Sequence, residues 1–282
     1  MSIRSVCHNC GSASASAPLF ARADVTRCEA CGGWSYTRAV EVSSEELYDE
    51  SYFNGGEYIA YDLAWRSHAR NFRRKLDLLE QHGLGNPGDV RLLELGCATG
   101  AFMQVARHAG IRSMLGVEPS VYCRTIAARR GCATVSPLDR AAARLIDDLR
   151  PNLIVAWDVW EHLPNPVSTL DQLLSQADSQ AIVALTTVDA GSAIARMRRT
   201  RWRQFHPPTH LNYPTRRSLR AYFDTRGFAV RYHRTFGYYR PLFEYLSPLG
   251  IRLSRRKAAL LSQPIYLNLY DTQMLIARRR PG

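Results

Sequence analysis

The chain has 282 residues, 46% of them apolar, and carries 37 lysines and arginines against 25 acidic residues. This length and composition can supply the core of one α/β domain with a small appendage. No apolar run reaches the roughly 18 residues of a transmembrane helix, and no signal segment stands at the start. We therefore exclude a membrane-spanning protein and expect a cytoplasmic one.

Two Cys-x-x-Cys pairs come first along the chain, Cys7 with Cys10 and Cys28 with Cys31. Each pair can supply two thiolates from one tight turn, which is the ligand pattern of tetrahedral structural zinc. The alternatives are two disulfides or four unrelated thiols, and a cytosolic setting opposes disulfides. The pattern predicts a zinc ribbon over residues 1–40, with no coordination position left for a substrate.

The next segment, residues 41–85, predicts helical structure. Ser43–Phe53 can begin with a capped turn, and a longer helix is expected from about Tyr61 to Gln81. The glycine-rich stretch at residues 83–88 ends this helix.

A short apolar run at residues 91–95 predicts a buried strand that leads into a turn of small residues at Gly96, Ala98 and Gly100. Small residues allow backbone N–H groups to approach a ligand closely. An amphipathic helix follows, with one apolar face formed by Ala101, Phe102, Val105, Ala106 and Ala109.

A second apolar run ends on Glu118, whose carboxylate can accept hydrogen bonds from both hydroxyls of a ribose. Together, the two runs predict a site for an adenosine-containing cofactor. The dinucleotide fingerprint G-x-G-x-x-G fits poorly, because Ala98 and Ala101 occupy two of its positions. The spacing Glu94-x-Gly96-x-x-x-Gly100 fits better, and it suits a cofactor with a positive head and no pyrophosphate.

Further apolar runs predict four more strands, at residues 152–157, 180–187, 228–232 and 271–278. Helical patterns lie between them. Strands that alternate with helices indicate a mostly parallel sheet with helices on both faces.

These blocks resemble class I S-adenosylmethionine-dependent methyltransferases. The turn matches their D/E-x-G-x-G-x-G motif except at Ala98, and Glu161–Pro166 reads E-H-L-P-N-P. With this E-H-L-P-N-P stretch, the blocks are similar to the methyltransferase-23 group, which is akin to ubiquinone-biosynthesis O-methyltransferases. Members of that group often carry a zinc ribbon before the methyltransferase domain. The resemblance covers roughly residues 41–282.

The resemblance implies a Rossmann-like α/β sheet of seven strands, mostly parallel, whose last strand is antiparallel. The methyltransferase domain would span residues 86–282, and residues 41–85 would form a lid or linker. Residues near 240–268 look like an inserted helical pair, which could shape an acceptor pocket, a dimer contact or a membrane contact. Three side chains could line the site below the lid or simply pack: Tyr52, Tyr58 and Arg70.

The resemblance also implies which residues hold S-adenosylmethionine. Glu94, Gly96 and Gly100 are expected at its methionine part, Glu118 at its ribose and Asp139 near its adenine. Further contacts are expected from Cys97, Ala98, Pro119, Ser120, Trp157 and Asp158.

A sulfonium methyl is already activated, so the enzyme mainly positions the acceptor and removes its water. An oxygen or carbon acceptor can also need a base, for which His162, His206 and His210 are the candidates. A structural, hydrogen-bonded role is the alternative for each histidine. Asp158, Glu161 and His162 could instead hold a divalent cation, as suggested for some ubiquinone-pathway relatives.

Charge is distributed unevenly, with 19 basic residues against 3 acidic ones from Arg196 onward. Solvated surface explains this in part, and an anionic or carrier-bound small-molecule acceptor is the sharper interpretation. We therefore predict a biosynthetic methyltransferase that transfers the methyl group by in-line displacement. A homodimer is a possible assembly, and nucleic acid is not the expected partner. An rRNA methyltransferase with a zinc module and a non-catalytic cofactor-binding regulator are the alternatives.

Overall fold

The computed structural model describes residues 3–20, 22–38, 64–137, 139–246 and 255–281. Several sequence expectations lie outside these ranges, namely the capped turn at 43–53, Tyr52, Tyr58 and the start of the helix expected from Tyr61.

The chain divides into two compact units. The ribbon unit holds the described residues within 1–41, 146–236 and 270–282. The motif unit holds those within 42–145 and 237–269. The sequence-based division at residues 40 and 85 stays a prediction.

Short extended segments occur throughout the described residues. The strands are β1 (Ile3–Val6), β2 (Ala13–Leu19), β3 (Arg22–Cys28), β4 (Trp34–Tyr36), β5 (Arg91–Leu95), β6 (Ser113–Val117), β7 (Thr134–Val135), β8 (Leu153–Trp157), β9 (Ile182–Val188), β10 (Asn212–Tyr213), β11 (Phe228–Thr235), β12 (Tyr238–Pro241), β13 (Pro264–Leu267) and β14 (Thr272–Arg279).

Most of the α-helices alternate with these strands. They are α1 (Trp65–Gln81), α2 (Ala101–His108), α3 (Val121–Arg129), α4 (Arg140–Leu149), α5 (Pro166–Ser175), α6 (Ala193–Arg198), α7 (Arg216–Thr225), α8 (Leu242–Leu246) and α9 (Arg255–Leu260). Single 3-10 turns occur at Pro87–Asp89, Trp160–His162 and Arg199–Arg201.

The largest sheet has seven strands and the predicted Rossmann-like α/β arrangement. In the motif unit, β6 lies between β5 and β7 and is parallel to both. In the ribbon unit, β8 is parallel to β9, whereas β14 is antiparallel to β9 and β11. The prediction of a mostly parallel sheet with an antiparallel last strand is confirmed.

Apolar runs become strands here because both faces of the parallel region are covered. Every residue of β8 and β9 is buried, which is why these runs show no polar alternation. The carboxyl ends of parallel strands are the usual place for ligands in such sheets. The segments that follow β5, β6 and β8 are therefore the candidates for ligand binding.

Helix α1 anchors the two-stranded sheet of β12 and β13 in the motif unit. The side-chain amide of Asn71 donates to the backbone carbonyl of Tyr239 at 2.8 Å, and its Oδ1 accepts from the Tyr239 N–H at 2.7 Å. Two short helices, α8 and α9, lie within the stretch 240–268, and its role as an inserted helical pair stays a prediction. The β12–β13 pair beside it was not expected.

Strands β1 to β4, here called the cysteine ribbon, form one five-stranded sheet with β10, in the order β1, β2, β3, β4 and β10. Its last strand comes from more than 170 residues later in the chain, where Asn212 pairs with Ser35 and Tyr213 with Trp34. An aromatic cluster packs beside this junction and includes Trp34, Trp202, Phe205 and Tyr213.

None of the described helices combines the length and apolar character that crossing a lipid bilayer requires.

Candidate functional site

The turn after β5 has a backbone that few side chains tolerate. Gly96, Ala98 and Gly100 all have positive φ, at 69°, 44° and 75°. Glycine occupies two of these positions without steric cost, whereas Ala98 carries a Cβ into the left-handed region. A Cβ at Gly100 would lie 2.8 Å from the Cys132 sulfur, so that glycine is also needed for packing.

The Glu118 carboxylate joins this turn to the end of β6. Its Oε2 accepts the backbone N–H of Ala98, and its Oε1 accepts that of Ser120, both at 2.9 Å. Burial raises the pKa of Glu118, and the two N–H donors oppose that rise. The Ser120 hydroxyl in turn accepts the Cys123 N–H and caps α3. The carboxylate is therefore fixed in one pose at the end of its strand.

Glu94 is a buried carboxylate inside β5, with 2% of its surface exposed. Its Oε2 has no hydrogen-bond partner among the described residues. Burial raises its pKa well above the usual value, although the charge of Lys75 acts in the opposite direction. An unpartnered buried carboxylate oxygen is costly, so it points to a cationic or hydrogen-bonding ligand.

Lys75 was missed by the sequence reasoning. It is 1% exposed, and its ammonium lies 5.3 Å from the Phe72 ring and 5.4 Å from the Tyr238 ring. The chain has only two lysines, and this one shares the buried face of α1 with Asn71 and Leu79. A lysine among the apolar positions of a predicted helix, in a chain whose other basic residues are almost all arginines, could have pointed to a buried functional role for Lys75.

The other expected cofactor residues of the motif unit differ in what they can offer. Cys97 is 3% exposed and its sulfur packs against Gly116, so a ligand could meet only its backbone. Burial raises the pKa of this thiol well above its usual value. Asp139 is exposed and accepts the Ala141 N–H at 2.8 Å, at the start of α4. Pro119 lies between Glu118 and Ser120, where its carbonyl accepts from Arg124.

Trp157 and Asp158 lie in the ribbon unit, at the carboxyl end of β8. Trp157 is 7% exposed. Asp158 has a φ of 58°, and its N–H donates to the Thr186 carbonyl at 2.9 Å. The chain therefore turns sharply at the end of this strand, as it does after β5.

The three candidate histidines lie together in the ribbon unit. His162 ends the 3-10 turn after β8, and His206 and His210 lie in the loop before β10. The ring centres of His162 and His210 are 4.6 Å apart, and those of His206 and His210 are 3.8 Å apart. Residues that are more than forty positions apart in sequence thus form one cluster, here called the histidine site.

Hydrogen bonds fix the proton positions in this cluster. Nδ1 of His162 donates to the Thr209 carbonyl at 2.9 Å, and Nδ1 of His210 donates to the Gln204 carbonyl at 2.8 Å. The Thr209 hydroxyl donates to the His206 carbonyl, so Nδ1 of His206 must donate to that hydroxyl. Each neutral ring therefore carries its lone pair on Nε2.

Burial keeps two of these rings uncharged. It lowers the pKa of His162 to about 4 and that of His210 to about 2. Both rings are consequently neutral near pH 7, which is the state required to accept a proton or bind a metal ion.

Glu161 adds a carboxylate to the histidine site. It is 3% exposed, its Oε2 accepts from the Thr187 hydroxyl at 2.7 Å, and its carbonyl accepts the Leu211 N–H at 2.7 Å. Possible ligand atoms of Glu161, His162 and His210 lie within 4.8 Å of one another. The expected group contained Asp158, and the structure gathers His210 with the other two instead.

The four ribbon cysteines also converge. Their sulfurs lie within 4.8 Å of one another, and those of Cys7 and Cys31 are 3.7 Å apart. Tetrahedral zinc with bonds of about 2.3 Å would place sulfurs about 3.8 Å apart. The thiols of Cys10 and Cys7 raise the pKa of Cys31, as expected when several sulfurs crowd together without a cation.

The two knuckles have the same backbone geometry. Gly11 donates to the Cys7 carbonyl and Gly32 to the Cys28 carbonyl, both at 2.8 Å. Both glycines have a φ near 75°. The Gly33 N–H points at the Cys31 sulfur at 3.4 Å. Four buried thiols in two matched turns fit a structural zinc ion.

Three arginines of the basic C-terminal region, Arg203, Arg216 and Arg217, are candidates for an anionic acceptor, and two of them already bind acidic side chains. Arg203 forms a two-pronged pair with Asp271 at 2.9 and 2.8 Å. Arg216 lies 3.5 Å from Asp189. Arg217 is exposed. The first pair is structural, because Asp271 is fully buried and also accepts from the Trp202 indole.

Comparison with known proteins identifies the family of this chain. The methyltransferase-23 family model, described as a methyltransferase domain, matches residues 64–233. No curated protein sequence matches the chain.

Solved structures share the fold at low identity. The magnesium protoporphyrin IX methyltransferase of Synechocystis PCC 6803 with bound SAH is 15% identical, with a TM-score of 0.51 over 82% of this chain and 97% of that one. The cyclase SpnF is 17% identical, with a TM-score of 0.50 over 74% of this chain and 82% of that one. Because one of these is a cyclase, the fold alone does not specify the reaction. The family match covers more than half of the chain, which therefore belongs to the methyltransferase-23 family.

Proposed function

We propose that this protein transfers a methyl group from S-adenosylmethionine to a small-molecule acceptor by in-line displacement. The observation that carries the proposal is the Glu94 carboxylate, buried beside the left-handed turn with one oxygen unpartnered in the described residues. A carboxylate in that position suits a cofactor with a cationic head group.

Each part of the motif unit has a role in this proposal. Glu94 would face the methionine part of the cofactor, and the backbone of Gly96, Ala98 and Gly100 would approach it closely. Glu118 would accept the ribose hydroxyls, since each carboxylate oxygen can accept more than one hydrogen bond. Secondary contacts are assigned to Cys97 through its backbone and to Pro119, Ser120, Asp139, Trp157 and Asp158.

When bound, S-adenosylmethionine supplies an activated methyl group, so the remaining task is to orient and deprotonate the acceptor. We assign the acceptor side to the histidine site. His162 is the preferred base, because its neutral ring carries a lone pair on Nε2 and it is less buried than His210. His206 and His210 would hold the ring and the acceptor in place.

The acceptor is proposed to be anionic or carrier-bound, on the basis of the basic C-terminal third of the chain. Arg203 is committed to Asp271, so exposed arginines such as Arg217 are the better candidates for contacts to such a group. The cysteine ribbon is proposed to hold one structural zinc ion.

A binding and labelling experiment tests this function. Calorimetry should detect S-adenosylmethionine binding, and methyl-labelled cofactor should pass its label to the small-molecule fraction of a cell extract. Label in ribosomal RNA would instead support the rRNA methyltransferase alternative. Binding without labelled product would favour the regulatory alternative, and absence of cofactor binding would contradict the proposal as a whole.

A further inference from the structure

The histidine site is joined to the cysteine ribbon by a continuous set of backbone hydrogen bonds. The Tyr36 N–H, at the end of β4, donates to the Leu211 carbonyl at 2.8 Å. The Leu211 N–H donates to the Glu161 carbonyl at 2.7 Å. One residue, Leu211, therefore links the ribbon on one side to the Glu161–His162 turn on the other.

Asn9 makes a second connection from within the first cysteine knuckle. It is completely buried, and its backbone N–H points at the Cys7 sulfur at 3.4 Å. Its side-chain amide donates to the Trp34 carbonyl at 2.9 Å, and its Oδ1 accepts from the Trp160 indole at 3.3 Å. Trp160 immediately precedes Glu161, so the knuckle fixes the start of the turn that carries His162.

A third connection runs through the segment after the histidine loop. The Asn212 side-chain amide donates to the Leu163 backbone carbonyl at 2.6 Å, and the Ser35 hydroxyl of the ribbon donates to Oδ1 of Asn212 at 3.1 Å. The Thr215 hydroxyl, which caps α7, donates to the Cys31 carbonyl at 2.9 Å. Both knuckles thus contact the segments that flank the histidines.

The side-chain bonds of Asn9 and Thr215 are buried and those of Asn212 are partly buried, so losing the ribbon's order would leave several polar groups without partners. A buried polar group without a partner is costly, which favours opening of the loop that carries it. A sheet as small as this ribbon depends on its metal ion for order, because its own core is too small. The order of the histidine site should therefore depend on metal at the cysteines.

We propose that the metal-loaded cysteine ribbon positions the histidine site through Asn9, Leu211 and Thr215, so that loss of the metal disorders the acceptor side without disordering the turn after β5. The proposal rests on the proposed zinc ion and on the proposed role of the histidines. Asn9 and Trp160 are positioning residues in this scheme.

Hydrogen exchange measured by mass spectrometry on the full-length protein tests the idea. Zinc-loaded protein and protein treated with a chelator would be compared in peptides spanning residues 157–163, 204–213 and 91–100. We expect at least tenfold faster exchange in the first two peptides after metal removal, with a less than twofold change in the third. Equal acceleration in all three, or no change in the first two, would overturn the proposal.

Two variants separate positioning from general destabilisation. Asn9→Ala removes the link, and Trp160→Phe removes the indole donor together with part of the buried ring. Both variants should speed exchange at 204–213 while the zinc content is retained. Asn86→Ala is the control, because this asparagine also forms a side-chain hydrogen bond, accepting the Gly88 N–H at 3.0 Å, but belongs to the motif unit. If Asn9→Ala does not fold, Trp160→Phe decides alone, and unchanged exchange in it refutes the proposal.

The same measurements separate this inference from the proposed function. Failure of S-adenosylmethionine to bind would refute the function and leave the exchange result intact. Exchange in the peptide spanning residues 91–100 should stay within twofold of the parent protein for both variants.

Discussion

Glu118 accepts a hydrogen bond of 2.9 Å from the backbone N–H of Ala98, twenty residues earlier in the chain. The residue proposed to bind the ribose therefore also holds the turn proposed to approach the methionine part. One carboxylate shapes the turn and presents oxygens to a ligand, so changing it should affect binding more than folding.

Glu118→Gln is expected to weaken S-adenosylmethionine binding by about 2 kcal/mol, since it removes charge-assisted acceptance while keeping the side-chain shape. Calorimetry measures the change. Asp139→Asn serves as a control with a smaller expected effect, because Asp139 is exposed and already caps α4. Unchanged affinity in a folded Glu118→Gln variant would remove Glu118 from the site.

Ala98→Gly is expected to stabilise the protein by about 1 kcal/mol. Ala98 has a φ of 44°, in a region where a Cβ is disfavoured, and glycine relieves that conflict. Urea unfolding of the two proteins measures the difference. Ala106→Gly, inside helix α2, should destabilise by a similar amount, because glycine is disfavoured in helices and a buried methyl is lost. A destabilised Ala98→Gly variant would argue against strain at this position.

His162 should make stability depend on pH below neutrality. Burial lowers its pKa in the folded protein to about 4, so between about pH 6.5 and pH 4 only the unfolded chain takes up a proton there. Relative to His162→Gln, the parent protein should lose about 1.4 kcal/mol per pH unit over that range, or about 2 kcal/mol at pH 5.

The measurement is the free energy of unfolding of both proteins at pH 7.5 and pH 5. Titrating groups outside the histidine site are common to the two proteins and cancel in the comparison. A stability difference that is the same at both pH values would show that the ring titrates normally.

Arg203→Ala is expected to destabilise the protein by about 3 kcal/mol. Among the described residues, it leaves the buried Asp271 carboxylate with the Trp202 indole as its one side-chain partner, and an uncompensated buried charge is costly. The estimate lies at the lower end of the usual range because the Arg203 side chain is 38% exposed. Arg217→Ala, at an exposed position, should change stability by less than about 0.5 kcal/mol. Near-equal effects of the two changes in thermal unfolding would contradict the assignment of Arg203 to a structural pair.

Purified protein is expected to contain about one zinc ion per chain, bound by Cys7, Cys10, Cys28 and Cys31. Elemental analysis gives the ratio. Cys28→Ser should lower it strongly, whereas Cys123→Ser should not, because Cys123 lies in the motif unit and is not among the four gathered thiols. Metal-free protein with an ordered ribbon would show that the four thiols need no ion.

The sheet was predictable from sequence because its signals are local. Apolar runs that are buried on both faces, such as β8 and β9, read directly as strands, and small residues mark the turn after β5. The gathering of four cysteines followed from their spacing. These predictions needed only neighbouring residues.

The histidine site was harder to predict, since its members meet only through folding. The sequence singled out His162, His206 and His210 and grouped Glu161 with His162. It did not show that the rings would touch or that His210 would take the place expected for Asp158. Pairing of Arg203 with Asp271 was equally hidden. A charge count identifies arginines, but only the folded chain determines which acidic residue each one binds.

Strand β10 has only two residues, yet it covers the outer edge of β4. A chain cut after residue 40 would leave that edge uncovered, with backbone donors and acceptors open to another strand. The remaining chain would lose the cover over Trp202, Phe205 and Tyr213. Both fragments would then tend to aggregate, so the cysteine ribbon and the segment that carries β10 should be expressed and engineered as one chain.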